Sequence, residues 1–185
     1  MKRALISFLL LFSLSISAQH KALADSSDPE KFIEEIIDEA KLILSTGSSR
    51  EEKAEELSKI ALKTVDVKGL AYYTLGKKRK EISSEELKKY EELFEKYFLK
   101  SFTSRLTDYS DPKINVVSAE TVNEKYTIVK TILLKTSKKP EVKIDWRIYT
   151  KDPNNPLIRD LIVEGLSLAR TQKEEFASIL NSNDN

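Results

Sequence analysis

Asp145 and Asp160 stand inside stretches that alternate apolar and polar side chains, and they are the residues of this sequence best placed for acid–base chemistry. Two carboxylates can serve as general acid and general base in a hydrolysis. Little else that catalysis needs accompanies them. The one histidine is His20, the one methionine is Met1, and there is no cysteine. Residues beyond 24 therefore offer no imidazole base, thiol nucleophile or His/Cys zinc site. With four glycines in the chain and no glycine-rich phosphate loop or nucleophile elbow, backbone cradles are hard to build. Most other acids lie in runs such as Glu34-Glu35, Glu51-Glu52 and Glu55-Glu56 mixed with lysines, the pattern of solvated helix faces with ion pairs. For Asp145 and Asp160, a structural role bonding a neighbouring strand or loop is expected ahead of a hydrolytic one. The chain reads as a binding protein and not as an enzyme, with no metal and no cofactor.

The N-terminal residues have the layout of a secretory signal. Lys2 and Arg3 precede an apolar run from Ala4 to Ile16, and Ala22-Leu23-Ala24 supplies a small-x-small cleavage pattern. Cleavage is expected after Ala24, with Ser17 and Ala18 as alternative cut sites. Removing residues 1–24 from the 185 leaves 161, the size of one domain spanning 25–185. The leader takes Lys2, Arg3 and Lys21 from the 31 basic residues, so 28 face 30 acids and the net charge becomes −2. That balance lacks the basic stripe that nucleic-acid binding requires. Export without cysteine suits a bacterial periplasm and rules out a lipoprotein anchor. A soluble, monomeric periplasmic domain is expected.

The elements divide into a helical half and a strand-rich half, the pattern of an α+β domain. Asp28-Pro29 starts a helix presenting Phe32, Ile33, Ile36, Ile37, Ala40, Ile43 and Leu44, which Gly47 stops. Ser49 with Glu52 forms a capping box for a second helix carrying Leu57, Ile60, Ala61 and Val65. A short segment, Val67 to Leu75, ends at Gly76 and the basic run Lys77-Lys78-Arg79-Lys80. That run reads as a solvated loop, or as a docking point for an anionic headgroup or acidic partner. Ser83 with Glu86 opens the longest helix, about residues 84–108, on the order of 37 Å at ~1.5 Å per residue. Its inner face is aromatic: Leu87, Tyr90, Phe94, Tyr97, Phe98, Phe102, Leu106 and Tyr109. These rings either pack the helix onto a sheet or wall a cavity.

From Ile114 the period becomes two. Strands are expected over 114–122, 125–136, 141–150 and 157–164, and short connections predict an antiparallel meander. Val142, Ile144, Trp146 and Ile148 alternate with Lys143, Asp145, Arg147 and Tyr149, so one face of that strand is apolar. Tyr126–Leu134 is apolar on both faces, which suggests a central place. Thr171 with Glu174 marks a closing helix carrying Phe176, Ile179 and Leu180.

Two stretches resemble the MlaC-type periplasmic phospholipid-binding proteins, also called the toluene-tolerance family. One runs from Val65-Asp66 through Leu75-Gly76 and the basic residues to Ser83-Ser84-Glu85-Glu86 and the aromatic helix Tyr90 to Tyr109. The other is Asp160-Leu161-Ile162-Val163-Glu164-Gly165-Leu166-Ser167-Leu168 followed by Phe176. Departures fall at Arg79 and at Pro156 or Leu157, where the family often has tryptophan, and at Lys173, where arginine is common. The resemblance implies a helical layer wrapped on a twisted antiparallel sheet of about four strands, enclosing an apolar lipid cavity. It implies a carrier that shuttles glycerophospholipid between outer and inner membranes and maintains outer-membrane lipid asymmetry. The implied partners are a lipoprotein complex of the MlaA type and an ABC transporter whose MCE-domain subunit is of the MlaD type.

On that reading Phe94, Tyr97, Phe98, Val129, Leu133, Ile144, Trp146, Ile148, Leu161 and Val163 wall the cavity. A diacyl lipid carries roughly 30 methylenes at about 0.8 kcal/mol each in water, so a greasy shelter is what transfer requires. The headgroup stays at the mouth in water, which avoids burying a charge. A periplasmic chaperone or adaptor, using the long aromatic helix as an interaction surface, is the alternative.

Overall fold

The computed structural model describes residues 28–182 other than Lys138; the expected leader lies outside them. The capping signals set the helical half. In α1 (Pro29–Ser45) the Asp28 side chain accepts from the Glu30 N–H at 2.9 Å, with proline at the first turn. Reciprocal capping boxes, Ser49 with Glu52 and Ser83 with Glu86, open α2 (Arg50–Thr64) and α4 (Ser84–Leu106). Between them α3 (Val67–Leu75) stops at Gly76, whose φ of 58° is a glycine conformation. The basic run that follows folds as a single 3-10 turn, Lys78–Lys80.

The second half is a meander of five strands in the order β1 (Ile114–Asn123), β2 (Tyr126–Leu133), β3 (Val142–Tyr149), β4 (Leu157–Val163) and β5 (Leu166–Ser167), every pair antiparallel. The fifth, two-residue strand exceeds the four expected. Glu164 and Gly165 both have positive φ, 51° and 82°, so they form a two-residue hairpin of the mirror-image type. A Glu-Gly pair is a weak turn signal, and the Glu164 carboxylate supplies the missing fixation by accepting from the Lys143 N–H on the neighbouring strand.

The closing helix α5 (Leu168–Ser182) begins three residues before the expected Thr171. Its cap is tertiary. Asp160 on β4 accepts from the Ala169 N–H at 3.0 Å and from the Ser167 hydroxyl at 2.6 Å, while Ser167 Oγ accepts from the Arg170 N–H at 3.1 Å. Thr171 spends its hydroxyl on the Ser167 carbonyl instead. Asp160 is therefore a buried clamp between strand and helix, the structural role expected of it. Asp145 pairs across the outer sheet face with Lys130.

Two apolar cores result. The larger joins α1 and α2 to the sheet through Phe32, Ile33, Ile36, Ile37, Leu57, Ile60, Val129, Ile148 and Ile158. The smaller joins α3, α4 and α5 through Val67, Ala71, Phe94 and Phe176. Val65 touches both, and the adjoining Asp66 pins the junction. Its N–H donates to the Ile158 carbonyl at 3.0 Å, and its side chain caps α3 at the Gly69 N–H, 2.9 Å away. Its other oxygen lies 2.8 Å from Arg159 Nε, off the N–H axis, so this contact is an ion pair and not an aligned hydrogen bond. The Arg159 guanidinium also stacks over the Tyr149 ring and donates to the Tyr126 hydroxyl at 3.0 Å.

Candidate functional site

Strand register places all seven of the strand residues expected at the wall on one face of the sheet. Trp146 lies between Val129 and Leu161, Ile144 between Thr131 and Val163, and Leu133 opposite Val142. The apolar positions of β2 and β4 thus share the face of those of β3, because burying one face of the sheet fixes the register of its strands.

This apolar plate is not uniform. At one end Val129 and Ile148, both 0% exposed, are packed under α1 and α2; they are core residues. Trp146 and Leu161 lie at the rim of that core. At the other end Leu133, Val142, Ile144 and Val163 are only half-buried and belong to neither core. Trp146 is held in its pose by a bond from Nε1 to Thr131 Oγ1 at 2.9 Å, and Thr131 donates in turn to the Ile144 carbonyl at 2.9 Å. Thr131 is 1% exposed. Its place in the plate follows from the β2 alternation, but nothing in its identity announced the bond to Trp146.

The long helix contributes a ladder of rings. Phe94, Phe98 and Phe102 stack in succession with centroids 6.4 and 5.7 Å apart, and Phe176 of α5 meets Phe94 edge-on at 6.0 Å. Of the two readings of this helix, packing on the sheet describes only its end, where Leu106 packs on the larger core; α4 otherwise lies mainly against α2 and α3. Phe94 is buried in the smaller core, Phe98 lies at its rim, and half-buried Phe102 belongs to neither core. Tyr97 is 44% exposed and bridges α4 to α5, donating to Gln172 Oε1 at 3.0 Å. The ten expected wall residues are thus divided. Phe94, Val129 and Ile148 hold the cores together, Tyr97 ties two helices at the surface, and the others occupy rims or unpacked apolar ground.

Concavities are found elsewhere. One of about 430 Å³ lies between α3 and α4, lined by Val67, Lys68, Lys88, Glu91, Glu92, Glu95 and Lys96. Another of about 450 Å³ lies between α1 and β1 and includes Glu34, Asp38, Lys41 and Asn115. Both are charged and neither includes a residue of the expected wall, so the expected greasy chamber corresponds to neither. In the first, Glu91 is held below the usual glutamate range by the Tyr72 hydroxyl, which donates to it, and by Lys68, whose Nζ is 3.0 Å away. Among the described residues no cluster of His, Cys, Asp or Glu has metal-binding geometry.

The family model described as "MlaC protein" matches residues 31–185. The chain belongs to the MlaC family. A solved phospholipid-binding protein from Ralstonia solanacearum, determined in complex with a phospholipid, shares the fold at a TM-score of 0.73 and 15% identity. The match covers 85% of this chain and 90% of that one. No curated protein matches this MlaC-family chain. At such identity the likeness carries the architecture, and the chemistry has to be argued from the residues above.

Proposed function

We propose that this protein is a phospholipid carrier, taking up the acyl chains of a glycerophospholipid against the unpacked half of the sheet's inner face. One observation carries the reading. In a fold shared with a phospholipid-bound protein, half-buried Leu133, Val142, Ile144 and Val163 lie in a continuous apolar patch that neither core claims. Apolar surface of this kind gains roughly 25 cal/mol per Å² when covered by hydrocarbon. A cavity only about as apolar as a bilayer leaves loading and unloading near balance, as a shuttle requires. Covering the patch calls for the smaller core, with its phenylalanine ladder, to shift against the larger one.

In the cell, the reading is a periplasmic protein exported by its cleaved leader. It would move lipid between outer and inner membranes and maintain outer-membrane asymmetry. Its partners would be an MlaA-type lipoprotein complex and the MlaD-type MCE subunit of an ABC transporter. The aromatic helix as a chaperone surface is less well supported, because its rings stack on one another and on Phe176. The direct test is native mass spectrometry of the protein purified from the periplasm without detergent. Bound glycerophospholipid at defined stoichiometry is expected, with a processed N-terminus at Asp25. A bare polypeptide mass and no lipid in the solvent extract would sink the proposal.

A further inference from the structure

The inner face of the sheet changes character at a single row. Val129, Trp146 and Leu161 are register neighbours across β2, β3 and β4. To one side lie Ile148 and Ile158, buried in the larger core. To the other lie Thr131, Ile144 and Val163, and beyond them the half-buried Leu133 and Val142. Trp146, the one tryptophan of the chain, is the bulkiest side chain of this face and is half-buried at the rim of the larger core. Its indole is held in one pose. Nε1 donates to Thr131 Oγ1 at 2.9 Å, one row toward the open end, and the Thr131 hydroxyl donates onward to the Ile144 carbonyl at 2.9 Å. Thr131 is almost wholly buried. Valine would fill the same space in an apolar plate without burying a hydroxyl, so the threonine answers to the indole that it orients. The ring is thus a fixed step between the packed and the unpacked half of the plate.

Length agrees with this division. From Val142 at the open end to Trp146 the strand advances about 14 Å, at ~3.4 Å per residue. The apolar layer of a bilayer is about 30 Å thick, so the chains of one leaflet span roughly 15 Å. We infer that Trp146, oriented by Thr131, is the end wall against which acyl chains stop, and that it sets the longest chain the carrier accepts. The inference rests on the carrier reading and adds which acyl chains the site takes. A methylene that moves from a bilayer into an apolar site changes little in free energy, whereas one left outside in water weakens binding about fourfold. Chains that end short of the wall are therefore taken in proportion to their supply, and longer ones are rejected steeply. An aliphatic side chain free to change rotamer would yield to an extra methylene; an indole pinned through its N–H does not. Trp146 is on this account a specificity-determining residue, and Thr131 a positioning residue that acts through it.

The test equilibrates the protein purified from the periplasm with an excess of phosphatidylglycerol vesicles. The vesicles hold equal parts of lipids whose saturated chains lengthen by two carbons from one species to the next. Mass spectrometry of the extracted lipid then gives the bound fraction against chain length. The wild type is expected to show a plateau and then a cut-off, falling about fourfold for each methylene beyond it. Trp146→Leu should move the cut-off at least one step up the series, and Trp146→Phe should move it in the same direction by less. Thr131→Val, which keeps the ring but frees it to turn, should blunt the cut-off; a purely structural threonine would lower the melting temperature and leave the profile as in the wild type. Should Trp146→Leu fail to fold, Trp146→Phe decides alone. A wild-type profile that copies the vesicles, or one that neither tryptophan variant moves, would overturn the end wall and leave the carrier standing. No lipid bound to the wild type would overturn the carrier itself.

Discussion

Gly69 shows how much one hydrogen atom in place of a methyl can decide. A Cβ built there would lie 2.2 Å from an Asp66 carboxylate oxygen, so any side chain evicts the group that caps α3 and pairs with Arg159. Gly69→Ala should cost about 2 kcal/mol, the loss of a cap plus the strain of displacing it, read as a lower midpoint in urea. Thr131 is a second such position. Thr131→Val keeps the shape but leaves the Trp146 N–H without its acceptor, which costs about 1–3 kcal/mol in a buried setting. Trp146→Phe in the same background should recover much of that loss, a coupling that a double-mutant cycle would measure. Asp160→Asn separates the clamp from the hydrolytic reading. A clamp predicts lower thermal stability with the lipid load retained, whereas a catalytic carboxylate predicts lost turnover and an unchanged melting point.

Helices α2 and α4 begin with the same device, and it titrates. Glu52 and Glu86 are held below the ordinary glutamate value, first by the N–H groups of Ser49 and Ser83 and then by the hydroxyls of the same serines. A depressed folded-state value means that the unfolded chain binds protons more readily. The stabilisation is therefore complete above the ordinary value and drains away as the pH falls below about 4 through the folded one. Chemical denaturation at pH 6 and pH 3 should show this loss, and the double variant Glu52→Gln/Glu86→Gln should show a shallower slope. The rings of α4 divide by burial. Phe94→Ala opens a hole in the smaller core and should cost about 3–5 kcal/mol. Phe102→Ala should cost far less, since Phe102 belongs to neither core, and should instead reduce bound lipid. Equal destabilisation by the two changes would contradict that division.

At the scale of the molecule, the two cores meet at Val65, Asp66 and Arg159, along α4, whose Leu106 packs on the larger core while its Phe94 fills the smaller, and at the Asp160 clamp between β4 and α5. Chains with separable cores open in separable cooperative units. Hydrogen exchange should find amides of β2 and β3 under α1 and α2 among the slowest, with α3, α4 and α5 releasing together and earlier. Asp66→Asn, which weakens the ion pair to Arg159, should widen that gap. Uniform exchange across both cores would mean that the junction couples them rigidly, leaving no route for acyl chains to enter between them.

The sequence by itself carried most of what depends on near neighbours, the Thr171–Glu174 helix start excepted. Capping boxes bridge three residues, strand alternation has period two, and the Ser49, Ser83 and Asp28 helix starts stand where those patterns put them. The shared face of Val129, Leu133, Ile144, Trp146, Ile148, Leu161 and Val163 was legible for the same reason, once strand pairing set the apolar positions side by side. Only the tertiary structure decided what covers that face. The start of α5 depends on a carboxylate eight residues upstream across a hairpin, and β5 on a glutamate side chain reaching a third strand. Whether Phe94 fills a core while Phe102 does not, or Val129 is sealed while Leu133 is open, is set by how helices stack over the plate. Periodicity names the inward face of an element, but burial is a property of whatever arrives opposite it.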